Sequence, residues 1–93
     1  MTIEDRIARG QRIKLLVEDE AVQGVLRDLK ERGDVTFQNA GSDDARRNIW
    51  ALMNAMTELK RQLTVVIEDG DAAMLEREQA NKRAAQQRGT GTA

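Results

Sequence analysis

The sequence predicts an all-α protein: an antiparallel helical hairpin of two long helices, with a short N-terminal helix and a partly disordered C-terminal tail. Large apolar residues recur at intervals of three and four positions, a spacing that places them on one side of an α-helix. Val35, Thr36 and Phe37 have strand propensity, but three residues are too few to build a sheet. The clearest turn signal, Asn39-Ala40-Gly41, lies between two periodic stretches and predicts where the hairpin turns.

The first helix is predicted over residues 3–17. Thr2 suits its N-cap, and the acids Glu4 and Asp5 suit the positive end of the helix dipole. Gly10 weakens this helix by about 1 kcal/mol relative to alanine. We expect either a tolerated glycine there or a point where another backbone comes close.

The second helix is predicted to begin after the acidic run Glu18-Asp19-Glu20, with Asp19 as its N-cap. Three consecutive acids could hold a cation, but such a run is more often a solvated turn. Apolar periodicity continues past Gly33 to about residue 39, with a bend allowed at that glycine. The alternative is that Gly33 ends the helix, because glycine commonly follows a helix C-terminus.

The longest helix is predicted from Asp43 to Asp69, with Ser42 as its cap, and Gly70 is expected to end or kink it. A short turn between two long helices makes them antiparallel neighbours. Six apolar residues at helical spacing form the predicted seam: Ile49, Leu52, Met56, Leu59, Leu63 and Val66.

A second, weaker stripe beside the seam makes the apolar arc wide enough for two neighbours. Trp50 and Met53 lie on this stripe and are candidate anchors for a partner protein. For the seam residues, packing inside the chain is the more common role. Trp50 fits either role.

Composition divides the chain into a helical domain, residues 1–76, and a basic, polar tail, residues 77–93. The last six residues, RGTGTA, are too polar and glycine-rich to order themselves. Three cations of the tail are candidate phosphate contacts: Lys82, Arg83 and Arg88. A solvated or partner-docked tail is the more common role of such a segment.

The chain lacks the residues that common forms of enzyme catalysis and zinc binding require. The chain has no His and no Cys, which removes the usual zinc ligands, the thiol nucleophile and the imidazole base. Ser42 is its single serine, and without His the common serine triad cannot form. We therefore expect no enzyme, no catalytic residue, no metal site and no cofactor.

Charge and hydropathy limit the partners. A formal net charge of −1 gives no general attraction to nucleic acid or anionic lipid, so nucleic acid is not favoured. No run reaches the roughly 18 apolar residues of a membrane span, and the N-terminus lacks the apolar core of a signal peptide. Twelve of the hydrophobic residues are alanine. With so few larger apolar side chains, we expect a cytosolic homo-oligomer that gains burial by association.

A set of glycines, leucines and charged residues recurs at the ends and along the faces of the predicted helices. Its members are Arg9-Gly10, Leu15-Leu16, Glu18-Asp19, Asp44, Arg46-Arg47, Leu59, Leu63 and Asp69-Gly70. Over about residues 5–75 this layout resembles a family of short helical proteins encoded among the head and packaging genes of short-tailed bacteriophages and their prophages. Members often carry Pro where this chain has Glu20.

The resemblance implies a virion structural or assembly protein, located in the virion or the host cytoplasm, that oligomerises and docks onto larger phage head or neck proteins. It implies no catalytic residues. Two alternatives come from other classes: a small terminase-like DNA-packaging factor, and an anti-defence or host-takeover binding protein.

Overall fold

The computed structural model describes residues 1–91, with side chains through Arg88, and in this range the chain is helical apart from its caps and one turn. It contains α1 (Ile3–Glu18), α2 (Glu20–Gln38) and α3 (Asp43–Gly91). The all-α prediction is confirmed. None of these helices is long and apolar enough to cross a membrane.

The N-terminus of α1 has the predicted cap. The Thr2 hydroxyl accepts a hydrogen bond from the Asp5 backbone N–H at 3.1 Å, and the Thr2 N–H donates to the Asp5 carboxylate at 3.2 Å. This reciprocal pair is a capping box, which satisfies two backbone donors that the first turn leaves without helical partners.

A single non-helical residue, Asp19, separates α1 from α2. Its extended backbone (φ −64°, ψ 127°) breaks the helix, and its Oδ1 accepts hydrogen bonds from the N–H groups of Ala21 and Val22 at 2.9 and 3.1 Å. Asp19 is therefore the N-cap of α2, as predicted. Because α2 continues through Gly33 to Gln38, the alternative that Gly33 ends the helix is wrong.

Ser42 caps α3, since its hydroxyl accepts a hydrogen bond from the Ala45 N–H at 3.1 Å. The helix then runs through Gly70, so the first of the two expectations for this residue, that it ends the helix, is wrong. The described part of α3 continues past Arg88 to Gly91. Thr92 and Ala93, the end of the predicted tail, lie outside the described residues.

The helices α1 and α2 follow one another along α3, and both run antiparallel to it. Gly10 lies against Gly70, Val17 shares a groove with Ile67, and Gly33 contacts Met53. Residue numbers thus rise along the first two helices as they fall along the third. The prediction of an α2–α3 hairpin as the core is therefore met only in part: α2 turns back along α3, but the closest packing on α3 is made by α1, which is nearly as long as α2.

The result is a rod of 79 × 25 × 16 Å with a radius of gyration of 21.4 Å. A compact domain of this length would have a radius of gyration of about 12 Å. Within the described residues, the buried apolar side chains are Ile7 and Ala73, both at the crossing of α1 and α3. The core is therefore small and lies at one place along the rod.

Glycines allow this crossing. A Cβ on Gly10 would lie 2.9 Å from the Gly70 Cα and 3.1 Å from the Val66 carbonyl oxygen. Real Cβ atoms do not approach backbone that closely, so both glycines are needed for the observed helix separation. Of the two expectations for Gly10, the close approach of another backbone is confirmed.

Candidate interaction surfaces

The predicted seam on α3 divides into two groups. Ile49, Met56, Leu63 and Val66 are half-buried, whereas Leu52 and Leu59 remain 69% and 53% exposed. The reason is the position of α2, which lies over the Met53 side of α3: a Cβ on Gly33 would be 3.3 Å from Met53 Cγ. Leu52 and Leu59 therefore do not belong to an intramolecular core, and an intermolecular role for the seam stays a prediction.

The two candidate anchors have different surroundings. Met53 is half-buried against Gly33, so it packs within the chain. Trp50 is 60% exposed and borders a shallow groove shared with Phe37 and Arg46. Trp50 thus remains accessible to a partner, and its role as an anchor stays a prediction.

Four exposed apolar residues lie on one side of the α2–α3 pair and are called the apolar flank: Val25, Leu29, Leu52 and Leu59. Leu29 and Leu59 each precede by one residue a lysine that lines the opposite side, Lys30 and Lys60. One residue turns the helix by about 100°, so each leucine points roughly at a right angle to its lysine and away from the groove. Leu52 lies two turns before Leu59 on the same side. Neighbouring exposed apolar residues of this kind commonly mark an interaction surface.

The opposite side carries the basic groove, with a volume of about 470 Å³. Its apolar part is formed by the end of α1, by α2 and by α3: Val17, Leu26, Leu63 and Ile67. Arg27, Lys30 and Lys60 line it as well, together with Gln23 and Thr64, and no carboxylate lines it. The groove opens beside Asp19, where the chain passes from α1 to α2. It combines apolar surface with uncompensated positive charge.

Ion pairs fix α1 on α3. The Arg6 guanidinium donates to both Asp69 carboxylate oxygens at 2.8–3.2 Å and to Glu76 at 3.2 Å, and Arg77 donates to Glu4 at 3.1 Å. The hydrogen bonds from Arg6 hold the pKa of Asp69 below its ordinary value. Sequence analysis missed these pairs because their partners are 63 to 73 positions apart, and no local spacing reveals such contacts.

The candidate phosphate contacts lie on the last part of α3. Arg77 pairs with Glu4 near the start of α1, and every described side chain beyond it, residues 78–88, is exposed. Lys82, Arg83 and Arg88 therefore project from a helix that α1 does not cover. Their proposed contact with phosphate stays a prediction.

Comparison with protein-family models, with curated proteins and with solved structures finds no match to this chain.

Proposed function

We propose that this chain is a structural or assembly protein of a bacteriophage, which oligomerises by helix packing and docks onto larger head or neck components. The observation that carries the proposal is the contrast between two buried apolar side chains and a long series of exposed ones in the described part of the chain. The phage context rests on the resemblance given above.

The apolar flank supplies the energetic argument. Burying one Leu or Val side chain fully contributes about 1.5–3 kcal/mol, and the flank residues are 45–69% exposed in the isolated chain. A partner that covers Leu29, Leu52 and Leu59 would recover much of that free energy. The rod-shaped chain also presents a long lateral surface for helix packing, unlike a compact domain of the same size.

The electrostatics also suit a binding role. Among the described residues, the carboxyl groups with clearly lowered pKa values are Asp69 and Glu58, and each shift is caused first by hydrogen bonds from an arginine on the surface. Catalytic acids and bases typically owe shifted pKa values to a cleft that removes them from water. The proposal therefore assigns the chain no catalytic role and no cofactor.

The first test is the molar mass in solution, measured by size-exclusion chromatography with light scattering at micromolar chain concentration. We expect a mass of at least twice the 10.4 kDa of one chain. A single species of one-chain mass would contradict oligomerisation.

The second test addresses docking through the apolar flank. In particles purified by density gradient from cells that produce the phage, we expect the wild-type chain and a Val65→Asp/Leu75→Asp control in the particle fraction. The double variant Leu52→Asp/Leu59→Asp should be lost from it. The control also adds two charges at exposed apolar positions of α3. Equal incorporation of the two variants would show that the flank is not the docking surface.

One observation favours a second function, a small terminase-like DNA-packaging factor. The exposed end of α3 carries Lys82, Arg83 and Arg88 against the single acid Glu78. This function predicts DNA binding that weakens steeply with salt and disappears when residues 79–93 are deleted. Absence of binding at low salt would remove it.

A further inference from the structure

We propose that the basic groove is a self-association site, and that its occupant is the acidic segment Leu15–Glu20 of a second copy of this chain. The proposal deepens the oligomerisation proposed above and rests on it. The geometry that carries it is that a groove lined by three cations lies beside an exposed segment of the α1–α2 break that carries three acids.

The groove has no internal counter-charge. Arg27 and Lys30 are one helical turn apart on α2, Lys60 lies across from them on α3, and no carboxylate is among the lining residues. None of the ion pairs found among the described side chains involves these three cations. The apolar surface between them comes from Leu26, Leu63 and Ile67. Such a groove fits an apolar side chain followed by carboxylates.

The segment at the end of α1 has that chemistry. Leu15 and Leu16 are 71% and 56% exposed, and Glu18, Asp19 and Glu20 follow them and are also exposed. Asp19 is engaged in capping α2, so Glu18 and Glu20 are the acids free to meet a partner's cations. The chain thus displays an exposed leucine pair that is followed, after the half-buried Val17, by carboxylates.

The two surfaces are adjacent, which favours a symmetric pair. Val17 lines the groove, and the Gln23 side chain donates a hydrogen bond at 3.1 Å to the Val17 carbonyl across the α1–α2 break. A two-fold axis beside this break would bring each acidic segment to the groove of the other copy. Two identical contacts would then form at once, as in other isologous dimers.

The rod is large enough to bury the interface area of a typical stable dimer. Half of its 79 Å length across its 25 Å width corresponds to a face of about 1,000 Å². Stable interfaces bury about 800 Å² per partner. Pairing around the α1–α2 break leaves the apolar flank, on the other side of α2 and α3, available for a larger component.

The test is a charge swap between two variants. The acid variant carries Glu18→Lys/Glu20→Lys and the groove variant carries Arg27→Glu/Lys30→Glu. In either variant alone, like charges face each other at both contacts, so we expect dimer dissociation constants at least tenfold above that of the wild type. In a one-to-one mixture, each altered segment meets an altered groove and each unaltered segment an unaltered groove. We expect the mixture to recover the dimeric mass.

Matched controls separate this contact from a general effect of charge. Asp44→Lys/Glu78→Lys and Lys82→Glu/Arg83→Glu change the net charge by the same amounts at exposed positions away from the groove. Both should keep the wild-type dissociation constant. Circular dichroism checks that all four variants remain helical, which the exposure of the altered acids and of Arg27 and Lys30 favours.

The outcomes are distinct. Monomeric variants that recover dimeric mass on mixing support the site. Unchanged association of both variants, or failure of the mixture to recover the dimer, overturns the groove as the contact and leaves the proposed oligomerisation standing. A wild-type chain that stays monomeric up to 100 µM overturns both.

Discussion

At the scale of single residues, Gly10 and Gly70 set the distance between α1 and α3. Each glycine lies where a Cβ would come within 2.9 Å of the other's Cα, and the atoms in the way belong to backbone. Backbone in the middle of a helix cannot shift without moving the whole helix, so a methyl group here separates the two helices. The small core around Ile7 and Ala73 depends on this contact.

We therefore expect Gly10→Ala to lower the free energy of unfolding by about 1 kcal/mol or more. The substitution gains about 1 kcal/mol of helix propensity, but crowding a packed contact costs about 1–3 kcal/mol, and loss of the neighbouring core adds to that. Gly24→Ala is the matched control, because its Cβ would meet no atom within 4 Å. Gly24→Ala should raise the free energy of unfolding by about 0.5–1 kcal/mol. Urea unfolding at one chain concentration measures both, and equal effects would contradict the close crossing.

Asp69 gives a pH-dependent prediction at the same scale. Its pKa is lowered from 3.8 first by the hydrogen bonds from Arg6, so the folded state holds its proton less tightly than the unfolded chain. The ion pair thus stabilises the fold above pH 3.8, and that contribution is lost as the pH falls through the lowered pKa.

In Arg6→Leu we expect the pKa of Asp69 to rise toward its ordinary value, because leucine removes both the hydrogen bonds and the positive charge. The carboxyl carbon shift of Asp69, followed by NMR during an acid titration, measures it. Glu58 serves as an internal control. Its pKa of about 2 depends on Arg61 and Gln62 and should not move. An unchanged Asp69 pKa would show that the Arg6 pair does not form in solution.

At the scale of the elements, Asp19 decides that α1 and α2 are two helices. Its carboxylate accepts hydrogen bonds from two N–H groups in the first turn of α2. Its extended backbone interrupts the helix for one residue. The basic groove opens at this break. A local cap thereby positions a surface that involves all three helices.

Asp19→Ala should cost about 1 kcal/mol of stability relative to Asp19→Asn, because asparagine can still accept the capping hydrogen bonds and alanine cannot. The comparison holds the charge constant, since both variants lose the same carboxylate. Thermal unfolding followed by circular dichroism gives the difference. Identical midpoints would show that the side-chain cap contributes nothing.

At the scale of the whole molecule, the rod leaves most of its apolar side chains half-buried or exposed. A chain with so small a core gains stability when another chain covers its surface, so association and folding should be coupled. The unfolding midpoint should then rise with chain concentration.

We expect the thermal midpoint to increase by several degrees between 1 and 100 µM chain. Mass action requires this shift whenever the folded state associates and the unfolded state does not. Differential scanning fluorimetry on Trp50 emission measures it. A midpoint that is independent of concentration would contradict coupled association.

Much of the fold was accessible from the sequence, because its signals act over four residues or fewer. The caps Thr2, Asp19 and Ser42 bond backbone groups two or three positions away, and the spacing of apolar residues fixes the helical state directly. The all-α class, the start of each helix and the turn near residue 40 follow from these local interactions.

The tertiary structure decided what depends on distant pairs. Gly70 was expected to end or kink α3, yet the helix continues through it, and its missing side chain accommodates Gly10 some sixty positions earlier. Leu52 and Leu59 share a stripe with buried neighbours, yet they are exposed because α2 packs on the Met53 side of α3. The basic groove likewise exists only where three helices meet. Helix formation is a local property of the chain, whereas the sides on which helices meet are set by contacts that no local spacing encodes.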